Sequence, residues 1–372
     1  MGIAPNWAYL DHAAVGPLSG PAMEAVQRFA NQAAFQGDTV WPQWAAQIEV
    51  LRTDVADLLN ADSAEICMIP NTTTGINLVA EGWPWNRGDN IVIPEDEFPS
   101  NLFPWMNQSN RGVELRVVPR RGEEVHVDDL IAQVDAHTRM IAVSWVGYAS
   151  GFRIDVQSLV QKAHDLGVLV FLDAIQGLGM YDLDLQSTPV DFLAADGHKW
   201  MLGPEGSGVA MIRKEHLPKL RCGNVGWGSV KQSFNYAEPS FDLRDTASRY
   251  ESGSANMVGI AALSASVKIF QRIRQLHGPH AIGNRVIELS TRLHQKLGEI
   301  GITSRLPSQQ DHRSGIVTFQ VPGCEPAEVR RQCLAENVVV SCRGGGIRAS
   351  IHAYNDDSDL ERLVNVVRQT LA

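Results

Sequence analysis

The chain has 372 residues, 44% of them hydrophobic and 20% charged, with a formal net charge of -10. That length holds a large core and two domains, and the acidic balance argues against a nucleic-acid binder, which would carry a basic stripe. Five scattered cysteines (Cys67, Cys222, Cys324, Cys333 and Cys342) without CxxC spacing read as reduced thiols of a cytoplasmic protein, not as a disulfide framework or a zinc site. Met1 to Trp7 lack a basic stretch followed by an apolar core, so no signal peptide is expected. No apolar run is long enough to span a bilayer.

In chain order, Ile66 to Ile69 reads as a strand, and Asn71-Thr72-Thr73-Thr74-Gly75 leads from it into the apolar-periodic Ile76 to Ala80. Short strand-like runs follow at Ile91–Ile93, Val113–Val118, Met140–Val146 and Val168–Leu172. Between the last two, Asp155 to His164 opens with an N-cap residue and carries apolar side chains at helical spacing. Strand, helix, strand in this rhythm predicts βαβ units, a largely parallel sheet and helices on both faces. Residues 216–255 are irregular and rich in Gly, Ser and aromatics, which suits long loops near a site or an interface. Long helices are expected over Val258–Leu276 and Ala281–Leu297, and strand–helix alternation resumes from Gly315 to Leu371. The predicted division is a large domain over 15–257 and a small α+β domain over 258–372, joined by residues 1–14.

Ligands in such sheets bind beyond the carboxyl ends of the strands, and the chemistry-bearing residues fall there. Lys199, in Asp196-Gly197-His198-Lys199-Trp200, follows one apolar run. Asp173 ends another, with Gln176 three residues on. A lysine that captures an aldehyde as a Schiff base, and a carboxylate that keeps a pyridinium nitrogen protonated, are what pyridoxal phosphate requires. Thr72 and Thr73 open a helix, where N–H groups and the dipole favour a phosphate, although threonines there also serve as ordinary caps. Gln176 can donate to the cofactor's phenolic oxygen. Arg348, after Gly344-Gly345-Gly346, has the donor fork that clamps a carboxylate. A rim salt bridge is the plainer alternative.

Together these motifs resemble the class V aminotransferase family of fold-type I pyridoxal-phosphate enzymes. The nearest branch holds cysteine desulfurases, selenocysteine lyases and isopenicillin N epimerases. The likeness runs from Tyr9-Leu10-Asp11-His12-Ala13-Ala14, through Thr72 to Val79, to Ile347-Arg348-Ala349-Ser350. It implies a seven-stranded, mostly parallel large domain with a small C-terminal domain, working as a homodimer with shared sites. It also implies Lys199 as the Schiff-base lysine, Asp173 as the pyridinium partner, and Thr72, Thr73 and His198 at the phosphate. Ser254 would be lent to the phosphate across the dimer, and Arg348 would bind the α-carboxylate of an amino-acid substrate.

Departures from the family pattern matter. Phe98 stands where desulfurases stack a histidine on the cofactor, so it can stack but cannot shuttle a proton. Asp196 replaces a usual Ser or Thr, and a carboxylate beside phosphate suits orienting His198 or a backbone amide instead. Tyr148 occupies the place of a common Asn. Desulfurases carry a nucleophilic Cys on a loop before the terminal arginine. Here that connection is short, and Cys342 reads as a packing thiol. His12, Tyr148, Trp227 and Arg343 are further pocket candidates by position.

The expected reaction begins with removal of the Cα proton by Lys199 while Arg348 holds the carboxylate. An aminotransferase-type outcome ranks first. A cysteine-independent C–S β-lyase and an epimerase are the alternatives, and a non-catalytic binding scaffold is the reading from another class.

Overall fold

The computed structural model describes residues 1–371. Strand β1 (Ala8–Tyr9) precedes helices α1 (Gly20–Phe35) and α2 (Trp41–Leu59). The sheet-forming stretch then runs β2 (Ile66–Ile69), α3 (Thr72–Gly82), β3 (Asn90–Pro94), α4 (Phe103–Met106), β4 (Glu114–Val118), α5 (Val127–Ile131), β5 (Thr138–Ser144), α6 (Val156–Asp165), β6 (Leu169–Asp173), β7 (Phe192–Asp196) and β8 (Gly208–Ile212). After an irregular stretch come α7 (Met257–His277), α8 (Ala281–Glu299), β9 (Ser304–Arg305), β10 (Ile316–Phe319), α9 (Pro326–Ala335), β11 (Val338–Val339), β12 (Ser341–Arg343), β13 (Gly346–Ser350) and α10 (Asp357–Leu371).

Seven strands form the central sheet in the order β2-β8-β7-β6-β5-β3-β4. Only β8 runs against its two neighbours; the other pairings are parallel. Strands β2, β3, β7 and β8 are buried along their whole length, as expected for a sheet covered on both faces. The expected α/β architecture is therefore present, with a second sheet, β12-β13-β10-β9, toward the C-terminus. Helix α6 starts where its capping signal lies, the Asp155 side chain accepting from the Ser158 N–H at 2.9 Å.

Two apolar cores flank the large sheet, and a third lies under the small one. The small core joins Ala8 and Leu10 to Leu289, Leu293, Val317, Ile347 and Leu363, so the N-terminal strand packs with it. Helix α7 does not: Ile260, Leu263, Val267 and Phe270 pack into a core of the large sheet. The cores thus divide within α8, beyond the position at 257/258 read from the sequence. The reason is tertiary, since α7 lies against α1 and α2, which local periodicity does not reveal. Among the described residues no helix is long and apolar enough to cross a membrane.

Candidate active site

The carboxyl ends of β5, β6 and β7 converge on one place. Asp173 closes β6 and Asp196 closes β7. Lys199 sits half-buried in the turn after β7. Burial pushes its amine down to about 8; the negative charges of Asp173 and Asp196 oppose that shift, and Arg348 and Arg343 add to it. Asp173 is 2% exposed. Burial pushes its carboxyl up to about 6, against the pull of the Ile175 N–H and of Lys199.

Phe98 faces this pair, with Lys199 Nζ 5.7 Å from its ring centroid and the Tyr148 ring edge-on at 5.3 Å. Thr73 Oγ1 donates to Ser100 Oγ at 2.8 Å, tying the start of α3 to the turn that carries Phe98. Thr72 Oγ1 accepts from the Asp196 N–H at 2.9 Å, which leaves its hydroxyl proton free to donate. The first N–H groups of α3 lack intrahelical partners by construction. His198 Nδ1 lies 3.0 Å from Asp196 Oδ2, but the contact is too poorly aligned for a hydrogen bond and leaves this buried nitrogen unsatisfied. Asp196 Oδ1 accepts from the Gly197 N–H at 2.7 Å, so the carboxylate shapes the turn around His198.

Arg348 is 2% exposed. Its Nε donates to Ser341 Oγ at 3.2 Å, Nη1 to the Tyr148 carbonyl at 2.8 Å and Nη2 to Asp11 at 3.3 Å. A guanidinium has five N–H donors, so one remains on each terminal nitrogen, the number a bidentate carboxylate takes. Asp11 was not among the residues expected to act. It neutralises Arg348 at rest, and burial raises its own carboxyl.

Gln176 bridges two elements: Nε2 donates to the Ala13 carbonyl at 3.1 Å, and Oε1 accepts from Trp200 Nε1 at 2.6 Å. One amide N–H remains for a phenolic oxygen. His12 is a correction. It is fully buried, with Nδ1 on the Ser350 carbonyl at 3.0 Å and Nε2 on the Tyr354 hydroxyl at 2.8 Å. Both ring nitrogens are used, so it meets no substrate; it braces the β1 segment against Trp200 and His352. Ser254 is exposed and lines a cleft of about 640 Å³ with Thr74, Asn77 and Asn256. Within one protomer it does not join the Lys199 group. Trp227 is 40% exposed and packs on Phe234, away from these residues. Arg343 is exposed at the edge of the site. Cys342 is part-buried, pairs with Ile347 in the β12–β13 hairpin and packs against the small core. The two strands are joined by Gly344 and Gly345, with φ of 59° and 73°. Both values are left-handed, as a two-residue hairpin turn demands, and this leaves no loop there.

Glu97 was missed. It is 8% exposed and accepts from the Ser144 N–H at 2.7 Å and from the Ser144 hydroxyl. Within Glu95-Asp96-Glu97 it reads as one of a solvated acidic run, and no local signal marks it as buried.

These groups fit pyridoxal phosphate. Asp173 is a buried acid whose carboxylate has one hydrogen bond among the described residues, from the Ile175 N–H, and His198 offers an unsatisfied nitrogen. Asp173 would hold the ring nitrogen, Phe98 the ring face, and Thr72, Thr73, His198 and the α3 N-terminus the phosphate.

A family model described as aminotransferase class-V matches residues 8–363. A probable cysteine desulfurase of Methanothermobacter thermautotrophicus is 30% identical, over 95% of this chain and 92% of that protein. The apo structure of a cysteine desulfurase from Thermococcus onnurineus is 26% identical, with a TM-score of 0.89 over 100% of this chain and 96% of the other. A cystine C–S lyase solved with cysteine persulfide is 22% identical and shares the fold, with a TM-score of 0.91 over 99% of this chain and 98% of that one.

Proposed function

The chain belongs to the aminotransferase class-V family of pyridoxal-phosphate enzymes, and from that premise we propose that it is a lyase cleaving the Cβ–S bond of a cysteine-type amino acid without a thiol nucleophile of its own. The observation that carries this reading is the convergence of Lys199, Asp173 and Arg348 in a chain 30% identical to a probable cysteine desulfurase. Transamination, first in rank from the sequence, draws no specific support from those relatives. The tight β12–β13 turn favours a route in which sulfur leaves directly and is not captured by a loop cysteine.

Pyridoxal phosphate, when bound, supplies the electron sink that lets a Cα–H bond ionise and a Cβ substituent leave. The chain's residues do the rest. The two remaining N–H groups of Arg348 hold the substrate carboxylate and fix the rotation about Cα. The Lys199 amine takes the Cα proton; an amine pushed down to about 8 is partly neutral near pH 7. The Asp173 carboxylate keeps a proton on the ring nitrogen. The Cβ–S bond breaks with its electron pair on sulfur, which takes up a proton. Hydrolysis consumes one water, and the net products are a thiol, pyruvate and ammonia. Ser254 from a second copy completes the phosphate site in this reading, as in a homodimer with shared sites.

The test is a panel of cysteine, cystine and selenocysteine given to the purified holoenzyme, with separate assays for pyruvate, released thiol or sulfide, pyridoxamine phosphate and change of chirality. Equal amounts of pyruvate and released sulfur product, abolished in Lys199→Ala, support the lyase. Pyridoxamine phosphate without sulfur release returns the transaminase reading. Inverted amino acid returns the epimerase. A protein that takes up no cofactor supports the scaffold.

A further inference from the structure

We propose that Arg343 determines specificity by pairing with an anionic group on the departing half of the substrate, so that the preferred substrate is a sulfur amino acid whose leaving thiol itself carries a carboxylate. This rests on the C–S cleavage proposed above.

The register of the hairpin places the residue. Ser341 pairs with Arg348, and Arg343 pairs with Gly346. Side chains two apart on a strand share a face, as do directly opposed residues. Ser341, Arg348 and Arg343 therefore project from the same side, and the Ser341 Oγ–Arg348 Nε contact at 3.2 Å shows that this is the side of the carboxylate clamp. Arg343 stands about 7 Å further along the strand. That spacing suits a second acid several bonds down the side chain from the α-carboxylate. The hairpin tip is fixed beside the site: a Cβ on Gly344 would lie 3.5 Å from the Ala149 Cβ, and the neighbouring Tyr148 carbonyl holds Arg348.

Three of the arginines around Arg343 are ion-paired. Arg348 has Asp11, Arg305 has Glu123, and Arg120 has Asp96 and Glu123. Arg343 donates to its neighbour's Cys342 carbonyl at 2.8 Å, and among the described residues no carboxylate lies within ion-pair distance of it. Its positive charge reaches Asp11, Lys199 and Arg348. A guanidinium without a carboxylate partner at the mouth of an amino-acid site has N–H donors left for a ligand carboxylate.

The test compares S-carboxymethylcysteine with S-carbamoylmethylcysteine, which have nearly the same shape and differ in charge. In the holoenzyme the ratio of kcat/KM should favour the acid by about tenfold or more, and in Arg343→Gln it should fall to near one. A ratio near one in the unmodified enzyme, or a ratio that Arg343→Gln leaves unchanged, overturns the proposal. A second readout needs no turnover. Calorimetry of the holoenzyme with glutarate and glutaramate, which lack the amine, should show the dicarboxylate binding about tenfold more tightly, with the difference lost in Arg343→Gln. If neither cysteine derivative reacts, the glutarate ratio alone upholds or overturns the role of Arg343, and C–S cleavage itself is judged by the cysteine, cystine and selenocysteine panel.

Discussion

Ser144 and Asp173 stand opposite one another at the carboxyl ends of β5 and β6, and Ser144 directs both its N–H and its hydroxyl at the buried Glu97. Two acids are thereby enclosed on one side of the site. Burial pushes Glu97 up to about 7, with the charge of Asp173 adding to the shift, and Asp173 rises to about 6. Glu97 is at least satisfied by hydrogen bonds. Asp173 waits for a cation that the chain itself supplies only at a distance, through Lys199. The arrangement is unfavourable for the bare protein and suited to a protonated ring nitrogen.

Replacing Asp173 should expose that conflict. A carboxyl whose folded pKa of about 6 exceeds its unfolded value holds its proton longer when folded. As pH rises from about 4 to 6 the unfolded chain releases that proton first, so this group lowers stability over that window and by a constant amount above it. The full effect is on the order of 3 kcal/mol. Cofactor-free Asp173→Asn should therefore be more stable than the unmodified protein at pH 7 in urea titration. The gap should shrink toward pH 4. Equal stability at both pH values would contradict the assigned environment. The same variant should bind pyridoxal phosphate less tightly.

Lys199 should capture the cofactor with a pH dependence of its own. Its amine, pushed down to about 8 by burial, is neutral in the folded protein well below the value of a free lysine. The rate at which cofactor-free protein takes up pyridoxal phosphate, followed by absorbance, should rise with pH to a midpoint near 8. Lys199→Ala should show no covalent uptake. A midpoint above 10, where exposed lysines titrate, would place the amine in solvent.

Much of the scaffold was legible because it is local. Runs such as Leu169–Asp173 and Asn90–Pro94 are apolar or β-branched, and short turns separate them from capped helices, so the alternation of strand and helix can be read off directly. Lys199, Asp173 and Arg348 were legible because their neighbours are apolar or glycine-rich, an unusual setting for charge. What escaped is set by contacts distant in sequence. Glu97 looks like its exposed neighbours Glu95 and Asp96 until β5 brings Ser144 to it. Asp11 meets Arg348 across the chain. His12 has the residue type of a catalytic group, and only the fold shows Ser350 and Tyr354 occupying its nitrogens. Helix α7 has a periodicity that says which face is apolar but not which core receives it.

His12 and His352 lie with ring centroids 5.1 Å apart beneath Trp200, and their burial sets an acid limit on the fold. His352 Nε2 contacts the Trp200 carbonyl at 3.1 Å, Nδ1 has no partner, and burial pushes the ring down to about 4. His12 is lowered too, by burial and by His352. A base whose folded pKa is depressed contributes full stability above its unfolded value of about 6.5 and loses it as pH falls toward 4. Stability should therefore decline between pH 6.5 and 4, by on the order of 3 kcal/mol from His352 alone. His352→Gln keeps a donor for the Trp200 carbonyl. It should be less stable at pH 7, by about 1–3 kcal/mol, yet lose less on moving to pH 5 in denaturant melts. An unchanged acid loss would show that the histidine pair does not limit the fold.

Gly16 packs directly against the Lys199 turn. Its N–H donates to the His198 carbonyl at 2.6 Å, and a Cβ there would lie 2.2 Å from the Lys199 carbonyl oxygen. Both atoms in that clash belong to backbone or its first substituent, so no side-chain rotation relieves it. The turn carrying Lys199 must move, and displacements of about 1 Å at a reacting group lower rates by about a hundredfold. Gly16→Ala should therefore lower kcat with Lys199 itself intact, and should slow cofactor uptake by the apo-protein. Gly20, where a Cβ meets open space, is the control. It begins α1, and Gly20→Ala should leave both measurements unchanged. Equal behaviour of the two variants would show that the N-terminal segment does not position the lysine.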